Sequence, residues 1–173
     1  MKKRYYRLSC LLTIIGLVVT GCRGTDTIKF NETLEEAKMV NIESHLGLEY
    51  LLLSELTDEQ ASNYNTDQPE SAGTDDGYIK GYYFRYPDKY GERRLTQIRI
   101  KNGDYHVFGI KLGDEMDSAS EVLKQRGYKE TKPSTIEKGA NTKAFKKHSV
   151  IIQLETEPGS QTINEIALLT DTY

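Results

Sequence analysis

The chain has 173 residues, of which 23 are basic and 26 are acidic, and it carries three histidines, two cysteines and no tryptophan. A net charge of −3 at neutral pH offers no clustered basic footprint of the kind that nucleic-acid binding requires, so we expect no nucleic-acid partner. One cysteine lies inside an N-terminal apolar run and the other just after it. This arrangement excludes a disulfide framework, and the stability must come from a packed core.

The first 22 residues have the layout of a bacterial secretory signal. Four basic residues among the first seven precede an almost wholly apolar run from Leu8 to Val19, which is shorter than the roughly 20 residues that span a bilayer. The run closes on four residues that look like a lipobox: Val19, Thr20, Gly21 and Cys22. We therefore predict a signal peptide at 1–21 and lipidation of Cys22. An uncleaved membrane anchor with a chance cysteine is the alternative.

Lipidation would hold the mature protein on the extracytoplasmic face of the cell membrane. Without the signal, 152 residues remain with a net charge of −7, which an anionic bilayer repels mildly. The anchor must therefore be lipid, and a diacylglyceryl cysteine with palmitate-type chains supplies the two chains that stable anchoring needs. Residues 22–32 are then the lipidated cysteine and a short polar tether.

Residues 33–103 form the first of two predicted α+β units. Thr33 with Glu36 indicates the start of a short helix. After Leu46-Gly47, the apolar residues between Leu48 and Ala61 indicate a second and more buried helix. Alternating apolar residues in 82–86 and 95–100, separated by a linker with proline and glycine, predict a β-hairpin.

Residues 104–173 form the second predicted unit. A helix is expected from Glu115 to Arg126, with Asp114 as its cap, a further capping box at Ser118 with Glu121, and Gly127 at its C-terminal end. Two alternating segments downstream, 150–154 and 163–168, predict another hairpin.

The two hairpins match each other at a shift of 68 residues without a gap. Ile98 then falls on Ile166 and Ile100 on Leu168, and all four are assigned to a buried strand face. The match predicts an α+β fold in which two α-β-β repeats form one antiparallel sheet with helices packed on one face.

The second unit resembles a known family pattern. The pattern is carried by Gly109-Ile110-Lys111-Leu112-Gly113-Asp114, a helix ending near Gly127-Tyr128, and a hairpin closing on Ile166 and Leu168. It is similar to the units of the β-lactamase-inhibitor-protein-like superfamily, which includes small SmpA/OmlA-type lipoproteins, and the resemblance covers nearly all of 33–173. It implies a non-enzymatic, protein-binding or envelope-scaffolding role and transfers no functional residues. The first unit departs from the pattern, because Leu48 stands where the second has Asp114.

Residues that carry chemistry are scattered along the chain. His45, His106 and His148 fall in different predicted elements and at no metal-ligand spacing. The sequence has no glycine-rich phosphate loop and no nucleophile elbow. Four lysines around the last part of the chain (Lys138, Lys143, Lys146 and Lys147) are typical of a solvated charged turn. We therefore expect no metal, no cofactor and no catalysis.

A predicted contact patch consists of Tyr83, Arg85 and Arg99, which alternation assigns to the strand face away from the core. Tyrosine and arginine are favoured in binding hot spots, although a role in the sheet core is the plainer interpretation of the neighbouring aromatic residues. The same outward face is expected to carry Ile151, Gln153 and Glu155. Charge changes at Arg99 or at Glu165 should then be tolerated.

These patterns favour a lipoprotein that binds another envelope protein or serves as an envelope scaffold. The alternatives are a small-ligand-binding lipoprotein of a membrane complex, which needs an enclosed pocket, and a cell-envelope enzyme, which needs converging polar groups.

Overall fold

A computed structural model describes residues 27–46, 51–57, 79–85, 93–134 and 140–171, with the backbone alone at Leu56, 79–85 and Arg93. The predicted signal peptide and the lipobox residues Val19, Thr20, Gly21 and Cys22 lie outside the described residues.

The described elements are two helices and nine strands. A helix over 27–43 (α1) comes first. In chain order the others are β1 (Glu55–Leu56), β2 (Ile79–Arg85), β3 (Arg93–Ile100), β4 (His106–Val107), β5 (Ile110–Lys111), α2 (Met116–Gln125), β6 (Lys129–Thr131), β7 (Thr142–Lys147), β8 (Val150–Thr156) and β9 (Ile163–Thr170).

Within the described part of the chain, seven strands form one sheet and β4 with β5 forms a small second sheet. The main sheet runs in the order β1-β3-β9-β8-β7-β6, and β2 also pairs with β3. All of these pairings are antiparallel. The fold is therefore α+β, as the alternating strand patterns predicted.

Both predicted hairpins are present, and they lie next to each other. β2 pairs with β3 and β8 pairs with β9, while β3 and β9 pair with each other and join the two hairpins. The hairpins form because apolar residues alternate along each strand and the linkers carry turn-forming proline and glycine.

One apolar cluster lies between the sheet and the helices. α1 contributes Ala37 and Val40, and α2 contributes Met116, Ala119 and Leu123. The strands supply residues at alternate positions, among them Ile98, Ile100, Ile152, Leu154, Ile166 and Leu168, all 0 % exposed. The predicted burial of Ile98 and Ile166 is confirmed, and both helices pack into the same core.

The helix predicted from Leu48 to Ala61 is wrong in its described part, because residues 51–57 form a turn and the short strand β1. Asn41 of α1 donates to the Leu52 carbonyl (2.9 Å) and accepts from the Leu52 amide (3.1 Å). The backbone of Leu53 is left-handed, with φ 60°, and its amide donates to β3 at 2.7 Å. These tertiary hydrogen bonds hold the segment at the sheet and override its helical pattern.

The first helix is longer than predicted. Residues 27–32, which the sequence assigned to the tether, are helical, as are the residues that follow as far as 43. Thr33 is therefore an interior residue of α1, and its hydroxyl donates to the Lys29 carbonyl (2.8 Å) instead of capping the helix.

The predicted cap of α2 is also wrong. The Asp114 carboxylate accepts from the Lys111 amide (2.8 Å), and Glu115, at the N-cap position, makes no side-chain cap hydrogen bond. The first helical amide, Met116, donates instead to the Gln161 carbonyl (2.9 Å). The β8–β9 loop therefore satisfies the Met116 amide, a donor in the first turn of α2 that the sequence had assigned to the Asp114 side chain.

The C-terminal end of α2 follows the prediction. Gly127 has a φ of +85°, and its amide donates to the Lys124 carbonyl at 2.9 Å. The Tyr128 amide donates to the Leu123 carbonyl at 3.1 Å. This pair of bonds is the Schellman motif, which requires a left-handed residue at the position that glycine occupies.

Candidate contact site on the second face of the sheet

The face of the sheet away from the helices is largely covered at β8. Ile151, Gln153 and Glu155 are 7 %, 2 % and 4 % exposed, so the expectation that they lie on an open face is wrong. The Gln153 side-chain oxygen accepts from both the amide (3.0 Å) and the hydroxyl (3.1 Å) of Ser134. The chain after β6 therefore crosses this face, and alternation along β8 could not reveal that cover.

A charged cluster lies on the same face where the two hairpins join. Arg99 on β3 donates from Nε to Oε1 of Glu165 on β9, and the Lys101 Nζ lies 2.8 Å from Oε2 of the same carboxylate. The Glu165 side chain is only 5 % exposed, against 19 % for Arg99 and 40 % for Lys101. Glu165 is a buried carboxylate held by two cations, so the expectation that its charge can be changed freely is wrong.

A second carboxylate lies next to this cluster. The β8–β9 register places Glu155 directly opposite Glu165, and both residues are 4 % exposed. Like charges on paired strand positions repel each other, and Arg99 and Lys101 offset that repulsion. The arrangement fixes the Arg99 side chain across the hairpin junction and joins β3 to β9 electrostatically.

Part of the Arg99 guanidinium has no hydrogen-bond partner among the described residues. Its Nε is engaged by Glu165, while its two terminal nitrogens make no hydrogen bond to any residue that the structure describes. Among the described residues, this is the feature of the second face best suited to hold a carboxylate of another molecule.

The other two residues of the predicted patch lie further along the hairpin. In the β2–β3 register Arg99 is opposite Lys80, Tyr83 is opposite Leu95, and Arg85 is opposite Arg93. Arg99 and Arg93 are six positions apart on β3, which is about 20 Å of strand. A bulge between Tyr82 and Tyr83 also interrupts the regular alternation. Leu95 is 1 % exposed and belongs to the core cluster, and paired strand positions share a face. The register therefore puts Tyr83, and Arg85 two positions further along, on the core side of β2, so the expectation that they share a face with Arg99 is wrong.

The predicted basic turn makes specific ion pairs. Lys146 pairs with Asp171, Lys147 with Glu36 (2.9 Å) and Lys143 with Asp117 (2.8 Å), and next to them His148 Nδ1 lies 3.3 Å from Glu32. The pairs of Lys147 and His148 reach α1, so this turn helps to hold α1 against β7 and β8. Lys138 lies outside the described residues, and the other three lysines of the predicted turn make ion pairs.

Glu36 is the buried member of that contact. It is 6 % exposed and accepts from the Tyr128 hydroxyl at 2.8 Å. Burial, followed by the hydrogen bond to Glu36, raises the pKa of Tyr128 well above its usual range. The phenol therefore stays protonated and acts as a donor to Glu36 at all ordinary pH values.

Two of the histidines meet, which their sequence positions did not indicate. His45, just after α1, forms an isolated antiparallel bridge with His106 of β4, and their ring centroids lie 5.9 Å apart. Asp104 nearby pairs with Lys111 (3.1 Å), which lowers the pKa of that carboxyl. Across the described ranges, no group of three or more potential ligands is positioned to hold a metal ion.

A shallow groove of about 390 Å³ runs between the β4–β5 turn and α2. Phe108, Ile110 and Val122 provide its apolar side, and Asp114 with Glu115 provides acidic groups at the start of α2. The groove is open to solvent, whereas a small-ligand receptor needs an enclosed pocket.

No family model, curated protein or solved structure was found to match this chain. None of the helices in the described ranges is both long and apolar enough to cross a bilayer.

Proposed function

We propose that the chain is a bacterial lipoprotein, anchored by lipid on Cys22 at the extracytoplasmic face of the cell membrane, that binds another envelope protein without catalysis. The anchor is supported by the lipobox pattern from Val19 to Cys22 after a short apolar run. The resemblance to the β-lactamase-inhibitor-protein-like units supports a binding or scaffolding role.

We also propose that the fold derives from two related units. In the β3–β9 register Ile98 is opposite Leu168, Ile100 is opposite Ile166, and Arg99 is opposite Ala167. At the shift of 68 residues, Ile98 corresponds to Ile166 and Ile100 to Leu168. The pair Ile98–Leu168 therefore corresponds to the pair Ile166–Ile100. Antiparallel pairing of equivalent strands about one centre is the arrangement that a two-fold related pair of units produces. The turn at residues 51–57 is the main departure of the first unit.

The observation that carries the binding proposal is the state of Arg99. Its Nε is held by a buried carboxylate, which orients the guanidinium, while its terminal nitrogens make no hydrogen bond to the described residues. A preorganised arginine loses little side-chain entropy when it binds a partner's carboxylate.

Two experiments test the two parts of the proposal. Cys22→Ala should leave a folded protein that cell fractionation finds outside the membrane fraction, and mass spectrometry of the mature N-terminus should show a lipid mass on the parent protein alone. Membrane retention of the Cys22→Ala protein would contradict the anchor.

The contact is tested by capturing the partner from native membranes, identifying it, and measuring its affinity for variants. Arg99→Lys keeps a positive charge beside Glu165 but removes the planar donors. Loss of a hot spot costs about 2 kcal/mol, or roughly thirtyfold in affinity. Lys124→Ala, on the exposed face of α2, is the control. An affinity of the Arg99→Lys protein equal to that of the control would place the contact elsewhere.

A further inference from the structure

α1 presents an apolar stripe on the side away from the core. Among the described residues, the exposed large hydrophobic side chains are Ile28 (59 %), Met39 (46 %) and Ile42 (77 %). At 100° per residue all three fall within about 60° of one another on the helix surface. They lie opposite Ala37, which is 1 % exposed and faces the core.

The stripe runs along nearly the whole described helix. Ile28 and Ile42 are 14 residues apart, which corresponds to about 21 Å along the helix axis. The same face also carries charged residues between Ile28 and Met39, where Glu35 forms an ion pair with Lys38 at 2.6 Å and Glu32 lies 3.3 Å from His148 Nδ1. An exposed apolar row of this kind usually marks a surface that is covered by something.

The distance to Cys22 indicates what covers it. Four residues lie between Cys22 and residue 27, the first described residue of α1, and the five residue-to-residue steps reach at most about 18 Å when fully extended. We infer that α1 lies on the lipid bilayer with Ile28, Met39 and Ile42 inserted at the headgroup boundary. This inference rests on the proposed lipidation of Cys22.

A small stripe is enough for a tethered helix. Lipidation makes contact with the bilayer effectively intramolecular, so even weak apolar contacts are populated. A stable protein partner would need roughly 20–30 residues on each side, far more than three side chains. Charge does not drive the contact, because the chain without its signal carries a net charge of −7.

The experiment places a fluorescent probe on the stripe of the full lipidated protein. Ile42→Cys, with Cys22 occupied by lipid, gives one thiol for an environment-sensitive label. Lys132→Cys is the matched control, since Lys132 is exposed and lies just before Ser134, which covers the second face of the sheet. The labelled proteins are reconstituted into phosphatidylethanolamine–phosphatidylglycerol vesicles that contain a lipid with a nitroxide on its acyl chain.

We expect the nitroxide to quench the label at position 42 several-fold more than the label at 132. The difference should persist in high salt. Ile28→Ser combined with Met39→Ser should reduce it. Equal quenching of both labels on vesicle-bound protein would overturn the inference while leaving the lipid anchor intact. A label at 42 that is shielded from water but not quenched would show a protein cover, such as a second copy, and would also overturn it. Protein that does not stay on the vesicles would refute the anchor, and the inference with it.

Discussion

Glu165→Lys should be among the more destabilising substitutions on the second face of the sheet. The Glu165 carboxylate is 5 % exposed and lies between Arg99 and Lys101. Removing one partner of a buried ion pair costs about 3–5 kcal/mol, because the remaining charge stays buried without compensation. The new lysine adds a third cation to the cluster, while the 40 % exposure of Lys101 limits its share of the loss. We expect a net loss of about 3–5 kcal/mol.

Urea unfolding of the mature chain with Cys22→Ser measures this loss. With a typical slope of about 2 kcal/mol per molar urea, the midpoint should fall by about 1.5–2.5 M. Glu121→Lys is the matched control, since Glu121 makes a largely exposed pair with Lys124 (2.8 Å) and should cost about 1 kcal/mol or less. Equal midpoints for the two variants would refute the idea that the second-face cluster stabilises the hairpin junction. Glu165→Gln, which keeps the shape and an acceptor, should fall between them.

The remaining predictions concern the core, the end of α2 and pH. Ile98→Asp and Ile166→Asp place unpaired carboxylates at 0 % exposed positions and should each cost several kcal/mol in the same urea assay. Gly127→Ala has room for its methyl group but forces φ near +85°, so it should cost about 1–2 kcal/mol. Tyr128 has a folded-state pKa raised above 10.0, so its contribution to stability is complete below pH 10 and is lost as the pH rises further. Tyr128→Phe should therefore lose less stability than the parent protein between pH 10 and 12, by up to about 1.4 kcal/mol per pH unit, and parallel pH profiles would contradict this reasoning.

Local sequence predicted the hairpins and the end of α2 because their determinants are local. Ile98 and Ile166 occupy the core face simply because side chains alternate along a strand, and Gly127 ends α2 because a left-handed residue is required there. These features need no information from the rest of the chain.

Several of the wrong predictions have a common physical cause, which is a hydrogen bond or cover supplied from far along the chain. Asn41 holds the Leu52 backbone in a turn, although the neighbouring leucines follow a helical pattern. Ser134 donates to Gln153 on the second face. Alternation therefore assigned Gln153 to the correct face but wrongly predicted that it is exposed. The pairing of Arg99 with Glu165 across 66 residues likewise left no local signal.

The lipobox is the part of the candidate function that sequence alone supplies. Its chemistry depends on a short linear pattern ending at Cys22, whereas a protein contact depends on side chains that the fold brings together. Tyr83 and Arg85 were selected by residue type and alternation, and the bulge in the β2–β3 register shows why alternation is a weak basis for combining them with Arg99.

The two proposed contacts use opposite sides of one sheet, and this makes them compatible. The stripe on α1 faces outward from the helix layer, since Ala37 and Val40 on the other side of α1 are buried in the core. Arg99 and Glu165 lie on the second face of the sheet, away from that core. With α1 on the bilayer and the lipidated Cys22 within about 18 Å of it, the second face would be turned away from the lipid. A partner could then reach Arg99 while the protein stays anchored, because neither contact uses the residues of the other.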